Sequence, residues 1–361
     1  MSALDSVEWE ECLLEPRRDP ELEREVRKVL GFVPPTLPYF AHSVWVARNF
    51  SSNFRLGQLA HISFDLADLI FLAVSQDNSC RFCYGSQRIL LRVLGVEDAS
   101  LQRLEQASSA AEAEPRERGA LEFARRVSRS NPPPTAEDHR VLRGLGWSDD
   151  EIKEIAYMAF YSVYGNRITT LLAIPLDLGA GLERWYFRLL RPFLARFIRS
   201  RERQGRPGAL PTELRHGPYA YLGLALDGLP CATALQELQR AAWEAPALAP
   251  RVKALVFAVV ARGLGSRRAE REAVEILGRH GLDEGQVEEI LTHLSSPKLD
   301  PIEAAIVPFA RETIWVQPAE IQRRGRELLD RLTPEQLVEL AATAGLANSS
   351  CRLSLALVEA E

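Results

Sequence analysis

Nothing in this 361-residue sequence approaches the roughly 20 consecutive apolar residues of a membrane span. The opening MSALDSVEWEECLLEPRRDPELE is acidic and carries no charged-then-apolar export signal, so a cytoplasmic protein without a membrane-spanning helix is expected. Strand signals are scarce: no apolar/polar alternation is sustained over strand length, and no Asn-Gly pair marks a hairpin. The chain reads as all-α. Cysteine is sparse, and of the five only Cys80 and Cys83 stand close together, which excludes a disulfide framework. There is no second CxxC and no nearby histidine pair, so a structural zinc site, which needs about four ligands, is not expected. The net charge of −5 is too mild to imply nucleic acid.

What is present is a globular composition, 46% hydrophobic and 26% charged, in a chain long enough for two domains or one domain doubled. The most informative stretch is Asp68 to Gln87, DLIFLAVSQDNSCRFCYGSQ. An apolar run headed by an acid leads into Asn78-Ser79, both good helix caps. The segment CRFCYGSQRILLRVLG then has apolar residues at helical spacing up to Gly95. The first turn of a new helix is therefore expected to hold both sulfurs. Unpaired N–H groups and the helix dipole favour thiolate there, Cys80 more than Cys83. Two thiols so spaced can close and reopen a disulfide, although a buried, inert pair remains an alternative.

The acid twelve residues before the first cysteine, the apolar stretch ending in Val-Ser, the CxxC and the polar side chain four residues after it resemble the alkylhydroperoxidase D and carboxymuconolactone decarboxylase superfamily. Its peroxidase branch has Glu, Cys-x-x-Cys and His, where Asp68, Cys80, Cys83 and Gln87 stand here. The resemblance implies a peroxidatic Cys83, a resolving Cys80 and a proton relay that includes Asp68. Gln87 can hydrogen-bond but cannot carry a proton near neutral pH. His61, seven residues before Asp68, would replace it if the helix reached back that far.

Helical segments broken by proline are expected over 20–63, and two more over 97–130, ending at Asn131-Pro132-Pro133-Pro134. Thr135 and the capping box Ser148–Glu151 open further helices. From Glu183 to Arg206 the chain holds eight arginines and two glutamates among aromatics. It reads as a connecting arm or subunit contact, interrupted at Pro192 and followed by a flexible joint at Gln204–Gly208. A shift of 185 residues lays Lys253–Arg268 on Asp68–Cys83 and Ser148 on Thr333, and one residue more aligns Phe123 with Phe309. The expected organisation is an alkylhydroperoxidase D-like repeat over 1–175, an arm over 176–245 and a degenerate repeat over 246–361. In the degenerate repeat Lys253, Gly265, Arg268 and Glu272 replace Asp68, Cys80, Cys83 and Gln87.

The expected function is a thiol-dependent hydroperoxide reductase in which Cys80, Cys83, Asp68, Gln87 and His61 are the candidate catalytic residues, with no metal or organic cofactor. Its partners would be a small hydroperoxide, an external protein or lipoyl-type dithiol, and further copies of itself. A dithiol carrier for a partner protein and a non-catalytic helical binding protein remain alternatives. Lys253→Ala is expected to leave turnover intact.

Overall fold

The computed structural model describes residues 4–51, 54–97, 114–176 and 185–360, and all regular structure among them is helical. The fold begins with α1 (Pro20–Leu30), α2 (Leu37–Phe40) and α3 (Val44–Phe50). Asp19 caps α1 by accepting from the amides of Glu21 and Leu22, and Gly31, at φ +85°, ends it in the left-handed region that glycine enters freely. Next come α4 (Phe64–Asp77), α5 (Arg81–Leu94), α6 (Pro115–Arg129), α7 (Ala136–Gly144) and α8 (Asp149–Leu171). The first of the two helices expected over 97–130 falls largely outside the described residues.

The arm helix is α9 (Trp185–Arg201). It is followed by α10 (Ala220–Ala225), α11 (Pro230–Glu244), α12 (Pro250–Leu264), α13 (Arg267–Arg279), α14 (Glu284–His293), α15 (Pro301–Glu312), α16 (Pro318–Leu328) and α17 (Pro334–Leu357). Two expectations about the arm are corrected. Helix α9 runs through Pro192, which sits at an exposed position where a carbonyl that loses its partner can be hydrated. The segment after it is no free joint: the amide of Arg203 donates to the Arg55 carbonyl at 2.9 Å and that of Gly205 to the Leu59 carbonyl at 2.7 Å.

Helices α8 and α17 pack along one another at the centre, each buried over most of its length, and α4 lies against α5, α6 and α8. One continuous apolar core extends from Leu13 to Ala356, so the two halves of the chain share it. Both central helices start with a capping box, Ser148 with Glu151 and Thr333 with Gln336. Glu154, on α8, accepts from the amides of Ala60, His61 and Ile62 at 2.7–2.9 Å. Glu339, on α17, accepts from those of Ala247 and Leu248 at 3.3 and 3.0 Å. Each buried carboxylate thereby fixes the chain entering the next long helix.

Two buried arginines cross between the halves. Arg167 donates to the Ile314 carbonyl at 3.0 Å and Arg352 to that of Ser128 at 2.6 Å. Burial drives the Arg167 guanidinium down to about 10 and that of Arg352 well below its ordinary range. The α12–α13 junction also corrects the internal alignment. Gly265, at φ +74°, and the cap residue Ser266 stand there as Ser79, at φ +51°, and the cap residue Cys80 stand between α4 and α5. The local shift is thus 186, placing Ser266 and Ala269, not Gly265 and Arg268, at the cysteine positions.

Candidate functional site

Cys80 is the N-cap of α5, and its sulfur accepts from the amide of Cys83, one turn on, at 3.4 Å. Ser79 makes the tight reversal out of α4 in the left-handed region, and the Cys80 amide returns to the Ser75 carbonyl at 3.0 Å. Local sequence thus sets the pair at a helix start, as expected, but the cap is Cys80 itself: Asn78 instead ends α4 and Ser79 makes the turn between the helices. Its surroundings come from α8. The Thr169 hydroxyl lies 3.1 Å from the Cys80 sulfur and 3.2 Å from that of Cys83, with the Gly165 carbonyl, 2.9 Å away, as the competing acceptor for its single proton.

Both thiols are buried, yet their electrostatics differ. Burial raises Cys83 well above the ordinary thiol range, and the neighbouring Cys80 adds to that. Burial also pushes Cys80 up, but hydrogen bonds from the Cys83 thiol, the Thr169 hydroxyl and the Cys83 amide outweigh it and bring Cys80 down to about 7. The first proton lost near neutral pH therefore belongs to the pair, and the opposite directions of the two shifts favour Cys80 as thiolate and Cys83 as thiol. Replacing Thr169 by valine removes a hydrogen bond to a charged sulfur, worth roughly 1.5–3 kcal/mol. Ultraviolet titration of the thiolate should then show its midpoint raised by about one unit or more; an unmoved midpoint would exclude Thr169 from the site.

Cys83, but not Cys80, lines a cavity of about 210 Å³ whose wall includes Phe50, Phe71, Tyr161, Arg55 and Gln87. Six of its thirteen lining residues are aromatic, and the burial that raises Tyr161 and Tyr164 above the ordinary phenol range keeps both neutral. Gln87 donates to the backbone carbonyl of Asp68 at 3.4 Å.

Asp68 is not aimed at a sulfur. Its carboxylate is ion-paired with Arg55, which a second carboxylate, Glu202 from the segment after α9, also holds. Asp68 has no exposed surface, and its Oδ1 has no hydrogen-bond partner among the described residues. Burial lifts Asp68 to about 7 against the opposing pull of the Arg55 charge and the Gln87 amide. For a carboxyl raised on folding, the stabilising contribution is complete below the unfolded value, about 3.9. It is lost as pH climbs through about 7. The urea midpoint of the wild type should therefore fall more between about pH 5 and about pH 8 than that of Asp68→Asn, which cannot ionise. Parallel midpoints would contradict the assignment.

His61 does not join this group. Ser63 caps α4 and Phe64 begins it, so the helix stops short of His61. The side chain of His61 is exposed, and its backbone amide is the part that is held, by Glu154. The residues that sequence reasoning missed are Arg55, Thr169, Glu202 and Tyr161. Only Arg55 lies near the motif in the chain, and no spacing rule singles it out. No three-residue cluster of His, Cys, Asp or Glu suited to a metal occurs among the described residues. No family model, curated protein or solved structure matches the chain.

Proposed function

We propose that this protein reduces organic hydroperoxides through a Cys80–Cys83 dithiol–disulfide cycle, as a tandem alkylhydroperoxidase D-like chain whose second half lacks the cysteine pair. The observation that carries the reading is a buried dithiol sharing one hydroxyl, with Cys83 alone facing an aromatic cavity. The Cys80 thiolate takes the proton of Cys83, the role that Gln87 cannot fill. The Cys83 thiolate then attacks the terminal oxygen of ROOH; the S–O bond forms, the O–O bond breaks, and RO⁻ leaves as ROH with the proton returned from Cys80. Cys80, again a thiolate, attacks the Cys83 sulfenic acid. The disulfide forms and hydroxide departs, taking a solvent proton to become water. An external dithiol slender enough for the cavity restores the pair by exchange.

Asp68 and Glu202 are positioning residues that hold Arg55 in the cavity wall. The duplication is supported by the paired capping boxes, the paired carboxylates Glu154 and Glu339, and the reciprocal arginines Arg167 and Arg352. The decisive experiment is stopped-flow loss of thiol on mixing the reduced protein with cumene hydroperoxide. One disulfide per chain, formed with saturating dependence on peroxide, is expected. Thiols that persist through excess peroxide would leave only a helical scaffold.

A further inference from the structure

The site leaves unexplained the outer face of the arm. Helix α9 contains five arginines and no acidic residue in a chain whose net charge is −5. Its Phe193 and Phe197 are 71% and 39% exposed, and beside them at the end of α1 Val29 and Phe32 are 55% and 53% exposed. These four form one surface. A Cβ on Gly31 would lie 2.9 Å from the Phe197 ring and 2.7 Å from the Arg201 guanidinium, which itself donates to the Val29 carbonyl at 3.3 Å. Arg27, Lys28, Arg196 and Arg199 are exposed around them. The nearby acids are turned elsewhere: Glu202 pairs with Arg55, and Glu25 with Arg48 at 2.9 Å.

We propose that this face, the C-terminal half of α9 with the end of α1, docks on the headgroup layer of an anionic lipid bilayer. Aromatic side chains that enter the interface and cations that remain at phosphate level are the two terms such adsorption needs, and here they alternate on one surface. A symmetric dimer through the same face would set these cations against their own copies, so a second chain is the poorer occupant. The face adjoins the cavity through Arg201 and Glu202, so docking would bring the Arg55 wall close to the lipid. The docking does not depend on the peroxidase reading and can fail or hold without it.

The test is co-sedimentation of the full chain with vesicles of equal phosphatidylglycerol and phosphatidylcholine at low salt. Wild type should bind. Phe193→Ser/Phe197→Ser and Arg196→Glu/Arg199→Glu should each lose about tenfold or more in partitioning, and binding should fade near 1 M salt, where the Debye length is about 3 Å. Unchanged circular dichroism and thiol titration would show both variants to be folded. Three results would overturn the proposal: no wild-type binding, binding indifferent to both variants, or equal binding to phosphatidylcholine alone. Self-association abolished by the variants, without vesicle binding, would also overturn it and assign the face to a second copy.

Discussion

Cys83→Ser should abolish hydroperoxide-driven thiol loss, lowering its rate by about 10³-fold or more, because removing a catalytic nucleophile usually costs at least that much. Serine nearly preserves the volume at a position only 2% exposed, so the fold should persist. A hydroxyl, however, is too weak an acid to be deprotonated by the Cys80 thiolate. Cys80→Ser should behave differently. It leaves Cys83 able to react slowly, without its base, and then stop as a sulfenic acid that intact mass reads as one added oxygen. Arg268→Ala, an exposed change in the half without a cysteine pair, should leave the rate unchanged. Equal losses in Cys83→Ser and Arg268→Ala would contradict the division into a reactive and an emptied half.

The largest loss of stability is expected from Lys253→Ala, a change expected to spare turnover. The Lys253 ammonium is 1% exposed, lies 3.0 Å from Glu339 Oε1, and donates to the Ala242 carbonyl at 2.7 Å and to that of Ala245. Truncation opens a void and leaves the Glu339 charge buried with only amides and the Trp45 indole for partners. Breaking one side of a buried pair costs about 3–5 kcal/mol, a large share of the roughly 5–15 kcal/mol that keeps a typical domain folded. Urea unfolding should show a loss of that size, and Lys253→Met/Glu339→Gln should recover part of it because no lone charge remains. A loss below about 1 kcal/mol would mean that the pair is solvated in the native state. Turnover measured below the shifted midpoint should still be present, which separates the structural role from a catalytic one.

The parts of the site that could be read directly were those with local causes. The helical spacing after Cys83 and the stop at Gly95 act within a turn or two of chain, so α5 and its two sulfurs are legible where they occur, although the cap is Cys80 and not Asn78 or Ser79. His61 failed for the same local reason: Ser63 is a better start than any residue before it, so α4 never carries His61 to the face of Asp68. Arg55 and Thr169 were missed because nothing near them marks a role. Thr169 reaches the sulfurs from 86 and 89 positions away, on a helix that reads as plain core. Glu202 reaches Arg55 across 147 positions, from a segment whose composition suggests a loose joint.

By itself the sequence determined that the chain is helical, where several of its helices begin, and that two thiols stand together at one of those beginnings, since each follows from interactions between near neighbours. Only the tertiary structure decided which thiol faces a cavity, which one holds the negative charge, and which charged partner Asp68 takes. Burial and hydrogen bonding from distant helices set those properties, and both depend on how α4, α5, α8 and the arm pack together.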